Sequence, residues 1–250
     1  VSYQLYNGSM LAGSPVTGTG SAINFGAQTA AGTYTVSATY PATGCTSNMS
    51  GSASVTVAAA PTAYLVMGDG TYCSGGAGIN VKLAASQIGV NYWIYHHGMP
   101  DGTSLAGTMG ALDFGPRFDS GSYLIKAVNS NGCVTWMTDS AVINVNPLPV
   151  AFTTTGGGGY CASDTGRHIN LSGSHTGFNY QLMTGTTAVG GALPGTGSSL
   201  DFGLHTAAGT YMVLATNTVT GCQKVMNSSA TININAMPTV FTVMGGGSYC

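Results

Sequence analysis

The sequence contains no glutamate. Its seven acidic residues are all aspartate and its bases number five (Lys82, Lys126, Lys224, Arg117, Arg167), so charged side chains make up 5% of 250 residues and the formal net charge is −2. Binding to nucleic acid or to an anionic membrane surface needs clustered Lys and Arg, and this chain has none to cluster. The longest apolar stretch, "SVTVAAAPTAYLVMG", is interrupted by Pro61 and falls short of the roughly 20 residues that span a bilayer. The opening residues "VSYQLYNG" resemble neither a signal peptide nor a translation start, so any export signal is expected outside this sequence.

Catalytic patterns are missing as well. There is no GxSxG elbow, P-loop, HExxH, EF-hand run, GxGxxG or CxxC. Of the five histidines only His96 and His97 are adjacent, and no Cys/His spacing suits zinc. Asp113 and Asp201 stand where Asn24 stands in an otherwise similar phrase, which points to turn hydrogen bonding and not to acid/base work. Asp69 in "GDG" and Asp101 in "PDG" are turn residues first and calcium ligands second. The expectation is no enzyme, no catalytic residue, no metal site and no cofactor.

What the chain does have is repetition. "GTGSAINFG" (from Gly18), "GTMGALDFG" (from Gly107) and "GTGSSLDFG" (from Gly195) recur after 89 and then 88 residues. Each is followed by a Gly-x-Tyr phrase ("AAGTYTVSAT", "DSGSYLIKAV", "AAGTYMVLAT") and then by a Gly-Cys step at Cys45, Cys133 and Cys222. A second phrase, "MGDGTYC", "TGGGGYC" and "MGGGSYC", ends at Cys73, Cys161 and Cys250, and a proline (Pro61, Pro149, Pro238) lies 12 residues before each of these cysteines. The prolines suggest boundaries: residues 1–60 as an incomplete repeat lacking its first two strands, 61–148 and 149–237 as whole repeats, and 238–250 as the start of a fourth.

Apolar residues alternate with polar ones, as in Tyr34, Val36 and Ala38 against Thr35, Ser37 and Thr39, and there is no long helical stripe. Six or seven short strands in about 88 residues predict an all-β fold of tandem immunoglobulin-like sandwiches. In such folds a Gly-x-Tyr step often makes a tyrosine corner, so Tyr34, Tyr123 and Tyr211 are either corners or plain core residues.

Phrases such as "GGGSYC", "GTGSSLDFG", "AAGTYTV" and "TGC" resemble the tandem immunoglobulin-like repeats of giant Bacteroidota cell-surface and secreted proteins, among them gliding-motility adhesins. The resemblance covers the whole chain. It implies secretion to the cell surface or beyond, and a role in adhesion or as an extracellular filament. It offers no catalytic residue.

Two cysteines per repeat in such a chain point to disulfides. With the opening-motif cysteine between the first two strands and the Gly-Cys step at a late hairpin, the two would lie at opposite ends of one sandwich, whereas a disulfide tolerates a Cα separation of at most ~7 Å. Two pairings stay open. Cys73 joins Cys222 across a junction, leaving Cys45, Cys133, Cys161 and Cys250 for partners elsewhere, or each repeat closes its own bond, Cys73 with Cys133 and Cys161 with Cys222.

Strand parity singles out one face. In the second repeat Tyr92, Ile94, Tyr123, Ile125 and Ile143 should point inward, so Trp93, Tyr95, Leu124, Lys126, Val128 and Trp136 point out, with His96 and His97 beside them. The third repeat places Gln181, Met183, Met212, Leu214, Thr216 and Val225 at those positions, and the first a mostly polar set. An aromatic and a methionine-rich patch on one scaffold suggest contact with other copies of the chain or adjacent repeats. Stacking on surface glycans is the competing use. A structural filament or adhesin stalk is the reading, with a carbohydrate-binding module or a passive spacer as alternatives.

Overall fold

The computed structural model describes residues 1–250, and the chain is all-β, with 25 strands and no helix. It divides into two compact units: residues 1–66 with 83–112 and 124–139, and residues 67–82 with 113–123 and 140–250. The division runs through the middle segment of the sequence and not along the prolines.

The first segment supplies β1 (Ser2–Asn7), β2 (Met10–Leu11), β3 (Val16–Thr17), β4 (Gly32–Thr39), β5 (Thr46–Asn48) and β6 (Ala53–Val55). They form one sheet ordered β2-β1-β4-β5, with β3 on β1 and β6 on β4. Leu5, Tyr34 and Ala38 are its buried apolar side chains.

The second segment supplies β7 (Val66–Met67), β8 (Gly70–Cys73), β9 (Ile79–Leu83), β10 (Val90–His96), β11 (Met99–Pro100), β12 (Leu105–Ala106), β13 (Leu112–Arg117), β14 (Gly121–Asn129), β15 (Val134–Trp136) and β16 (Ala141–Asn146). One sheet is ordered β13-β9-β7 and the other β11-β10-β14-β16-β8. The third supplies β17 (Thr154–Gly156), β18 (Gly158–Cys161), β19 (Arg167–Leu171), β20 (Phe178–Thr184), β21 (Thr187–Pro194), β22 (Leu200–His205), β23 (Gly209–Asn217), β24 (Gln223–Val225) and β25 (Ala230–Asn235). Its sheets are ordered β17-β19-β22 and β18-β25-β23-β20-β21. With β7/β8 and β17/β18 named A/A′, β9 and β19 B, β10 and β20 C, β13 and β22 E, β14 and β23 F, and β16 and β25 G, an A-B-E sheet and an A′-G-F-C sheet make the immunoglobulin-like arrangement, and both segments have that strand order.

In the third segment the core is explicit. Ile169, Leu171 and Leu200 of one sheet pack with Tyr160, Tyr180, Leu182, Tyr211, Val213, Ala215 and Ile232 of the other, every second residue along each strand. The first strand changes sheets midway. β17 runs antiparallel to β19, and after Gly156 and Gly157 the chain continues as β18, parallel to β25. A Cβ on Gly156 would lie 2.2 Å from the His168 carbonyl oxygen, and its φ of +93° favours glycine. Gly68, between β7 and β8, meets the Asn80 carbonyl in the same way at 2.5 Å with φ +127°. The glycines of "MGDG" and "TGGG" thus exist to move one strand from one sheet to the other.

The Gly-x-Tyr phrases become tyrosine corners that also fill the core. The Tyr34, Tyr123 and Tyr211 hydroxyls donate to the carbonyls of Ala30, Asp119 and Ala207, four residues back, at 2.8, 3.0 and 2.8 Å. All three rings are buried. A second recurring device closes the turn before β10 and β20, where the Tyr92 and Tyr180 hydroxyls accept the Gln87 and His175 backbone N–H groups at 2.9 Å.

Candidate interaction surface

Cys73 and Cys222 form a disulfide, with Cα atoms 5.6 Å apart and 149 positions between them in sequence. It joins the end of β8 to the β23–β24 turn. This is the longer-range of the two pairings; Cys45, Cys133, Cys161 and Cys250 are free thiols, so neither short-range bond forms. Cys222 is fully buried, whereas Cys45, Cys161 and Cys250 are exposed.

Backbone parity in β10 and β14 buries Tyr92, Ile94, Tyr123 and Ile125 and turns the alternate residues outward. Trp93, Tyr95, Lys126 and Val128 are half-buried, Leu124 is exposed, and Trp136 is 49% exposed. Trp136 stands opposite Lys126 in the β14–β15 pair. Its ring meets Tyr95 edge-on with centroids 5.1 Å apart. The Lys126 ammonium donates to the Tyr95 hydroxyl at 3.4 Å and sits 5.5 Å from the Tyr95 ring and 6.0 Å from the Trp136 ring. A cation over two aromatic faces holds both rings in place on an otherwise open surface. His96 and His97 stack on each other at 3.9 Å just beyond the cluster in sequence.

The third segment bears an apolar groove at the matching positions. Met183, Met212, Leu214 and Val225 line an open depression of about 230 Å³ with Gly185 and Thr186. Met183 pairs with Met212 and Leu214 with Val225, so these side chains share one face of the sheet. At the same positions in the first segment, Thr35 pairs with Tyr6 and Ser37 with Asn48.

One feature of this face is absent from a strand-parity reading. The last strand is broken in two: β15 and β16 both pair with β14, and β24 and β25 both pair with β23. Asp139 and Ser228, with φ of +65° and +61°, make the break. It sets Trp136 and Val225 on short, exposed hairpin arms. The only hint in sequence is a small polar run, "TDSA" and "NSSA", between apolar strands.

The aspartates act as turn acceptors. Asp113 and Asp201 each accept the backbone N–H two residues on, Gly115 and Gly203, at 2.8 Å, as Asn24 does from Gly26. Hydrogen bonds from Asn80 and Gly115, with Lys82 at 3.7 Å, hold the Asp113 carboxyl below its ordinary range. The His168 ring, 2.8 Å away, and the Gly203 N–H do the same for Asp201. Asp69 accepts the Val142 N–H at 2.6 Å. Nowhere do three His, Cys or Asp side chains converge in the manner of a metal site.

No family model and no curated protein matches the chain. Among solved structures it is similar to a Ca²⁺-stabilised adhesin with which an Antarctic bacterium binds ice, at 16% identity and TM-score 0.42, over 96% of this chain and 66% of that one. It is also similar to the FN1–FN3 domains of chicken CNTN1 (13%, TM-score 0.30, 92% and 91% covered) and to the Ig1–Ig3 ectodomain of mouse nectin-like molecule 4 (14%, TM-score 0.31, 85% and 76% covered).

Proposed function

We infer that the chain is a structural segment of a long extracellular repeat protein, a filament or adhesin stalk, and that it associates sideways through the outward faces of its second and third repeats. The repeats are bounded as 1–60, 61–148, 149–237 and 238–250. The observation that carries the reading is the Cys73–Cys222 bond, which ties the end of β8 to a hairpin 149 positions further on and presupposes an oxidising compartment. A covalent tie between sequence copies serves a chain that has to stay extended under load; an independent binding module has no need of it.

The lateral contacts are assigned to Trp93, Tyr95, Leu124, Val128 and Trp136 in one copy and Met183, Met212 and Leu214 in the other. Large rings ordered by a cation and an open methionine groove are surfaces suited to burial against protein. Electron microscopy of the native material should show multi-stranded filaments that separate into single beaded threads when Trp136→Ala and Met212→Ser are introduced. Trp136 is half-exposed, so the variant should keep its fold. Filaments unchanged by both substitutions overturn the lateral contact, and compact particles in place of threads overturn the stalk. Glycan binding lost with Trp136→Ala would transfer the face to carbohydrate recognition.

A further inference from the structure

The tip of the β10–β11 hairpin differs from its counterparts in the other two segments. In the first segment the strands meet at Asn7 and Met10 with Gly8 and Ser9 between them, and in the third at Thr184 and Thr187 with Gly185 and Thr186 between them. In the second, His96 pairs with Met99 across His97 and Gly98. The first turn residue is left-handed in all three, with φ of +62° at Gly8, +60° at Gly185 and +49° at His97. Glycine takes that conformation without steric cost, whereas a side chain there crowds its own backbone. Two copies use glycine and one places an imidazole. A side chain kept where glycine fits more easily suggests a use for it.

The imidazole does not stand alone. Its ring lies 3.9 Å from that of His96, inclined at 30°. The pairing of His96 with Met99 sets their Cβ atoms about 5 Å apart on one face of the hairpin, which brings a thioether within reach of the two rings. Met99 is 71% exposed and His97 is exposed, so both can turn toward His96 without disturbing the core.

Two imidazole nitrogens and a thioether sulfur form a soft donor set. It suits Cu(I), which accepts two or three ligands and favours sulfur and imidazole over oxygen. The three side chains fall short of the four ligands that Zn²⁺ takes in structural sites, and they offer none of the oxygens that Ca²⁺ and Mg²⁺ require. We propose that the tip of the β10–β11 hairpin is a Cu(I) site, with His96, His97 and Met99 as its ligands. The stacked rings open about their Cβ–Cγ bonds until one nitrogen of each faces the ion, and the Met99 sulfur closes the third side. None of the three residues belongs to the set assigned to lateral contact, so the site stands or falls separately from that reading. The first segment supplies an internal control, because Met10 holds the Met99 position there with Asn7 and Gly8 in place of the histidines.

The test uses the 250-residue chain carrying Cys45→Ser, Cys133→Ser, Cys161→Ser and Cys250→Ser, which removes the thiolates that would take Cu(I) first and keeps the Cys73–Cys222 bond. Cu(I), supplied as its acetonitrile complex in the absence of oxygen, is titrated against the chromophoric chelator ferrozine. One equivalent should stay with the protein. In NMR spectra of methyl-labelled methionine the Met99 resonance should move with that equivalent while Met10 stays in place. His97→Gly restores the residue of the other two turns and relieves the backbone, and Met99→Leu alters an exposed side chain, so both variants should fold. A partner that merely orients a ligand is typically worth about 10–100-fold in metal affinity, so loss of a ligand itself should weaken binding about 100-fold. Full retention of Cu(I) by His97→Gly, a Met99 resonance that does not move, or displacement of the ion by an equal amount of Zn²⁺ overturns the proposal.

Discussion

Replacing both Cys73 and Cys222 by alanine tests how far the disulfide governs stability. Cross-linking positions separated by 149 residues removes chain entropy from the unfolded state worth about 5 kcal/mol at 25 °C on the loop-closure account. That figure does not depend on the whole loop unfolding at once. If only the third segment opens, the closed loop is roughly halved, and halving costs only about 0.6 kcal/mol of the effect. Measured losses for native disulfides run from about 2 to 5 kcal/mol, so a drop of about 3–5 kcal/mol is expected. Guanidinium unfolding followed by far-ultraviolet circular dichroism measures it. Alanine suits the fully buried Cys222 site because it leaves no unpaired polar atom. The slope of free energy against denaturant should also rise, since an uncrosslinked chain exposes more surface on unfolding. A loss below about 1 kcal/mol with an unchanged slope refutes the reasoning, because ordinary substitutions alone produce that much.

Two further outcomes follow from single hydroxyl groups. Thr154 is 2% exposed and its hydroxyl has no partner, while Val66 sits at the equivalent buried position of β7, so Thr154→Val should stabilise the protein by about 1 kcal/mol in thermal or chemical unfolding; a loss of stability would show that the hydroxyl is satisfied in solution. Tyr211→Phe removes the bond to the Ala207 carbonyl and leaves the ring in place, and should cost about 1 kcal/mol. The same change at Tyr34 or Tyr123 should cost a similar amount, and no effect at all three would reduce the corner to a packing feature.

Much of the fold was legible because strand periodicity and turn chemistry are local. Alternation in "TYTVSAT" gives the buried face of β4 directly, and the Asn/Asp-x-Gly phrases announce their own hydrogen bonds. The disulfide was half legible. Geometry kept the two cysteines of one repeat apart, but choosing a partner needs the positions of a β8 end and a distant hairpin, which no local pattern carries. The outward placement of Trp136 followed from parity. Its hold by Lys126 did not, since a lysine ten residues away in sequence becomes a neighbour only once β15 turns back on β14. The glycine-rich opening motif was visible from the start as a repeat, yet its purpose, a strand changing sheets, appears only when the carbonyls of Asn80 and His168 are found where a Cβ would go.

The parallel pairs β8–β16 and β18–β25 decide how tension acts on such a chain. In each segment the chain arrives through the first strand of the pair and leaves through the second, and both point the same way. Pulling on the two sides therefore drags the strands past each other along their length. Every rung of the ladder resists at the same moment, where an antiparallel hairpin pulled from its open end would unzip one rung at a time. The bond at Cys73 sits at the exit of β8, so a pull that shears this ladder meets a covalent stop before the strand can slide clear.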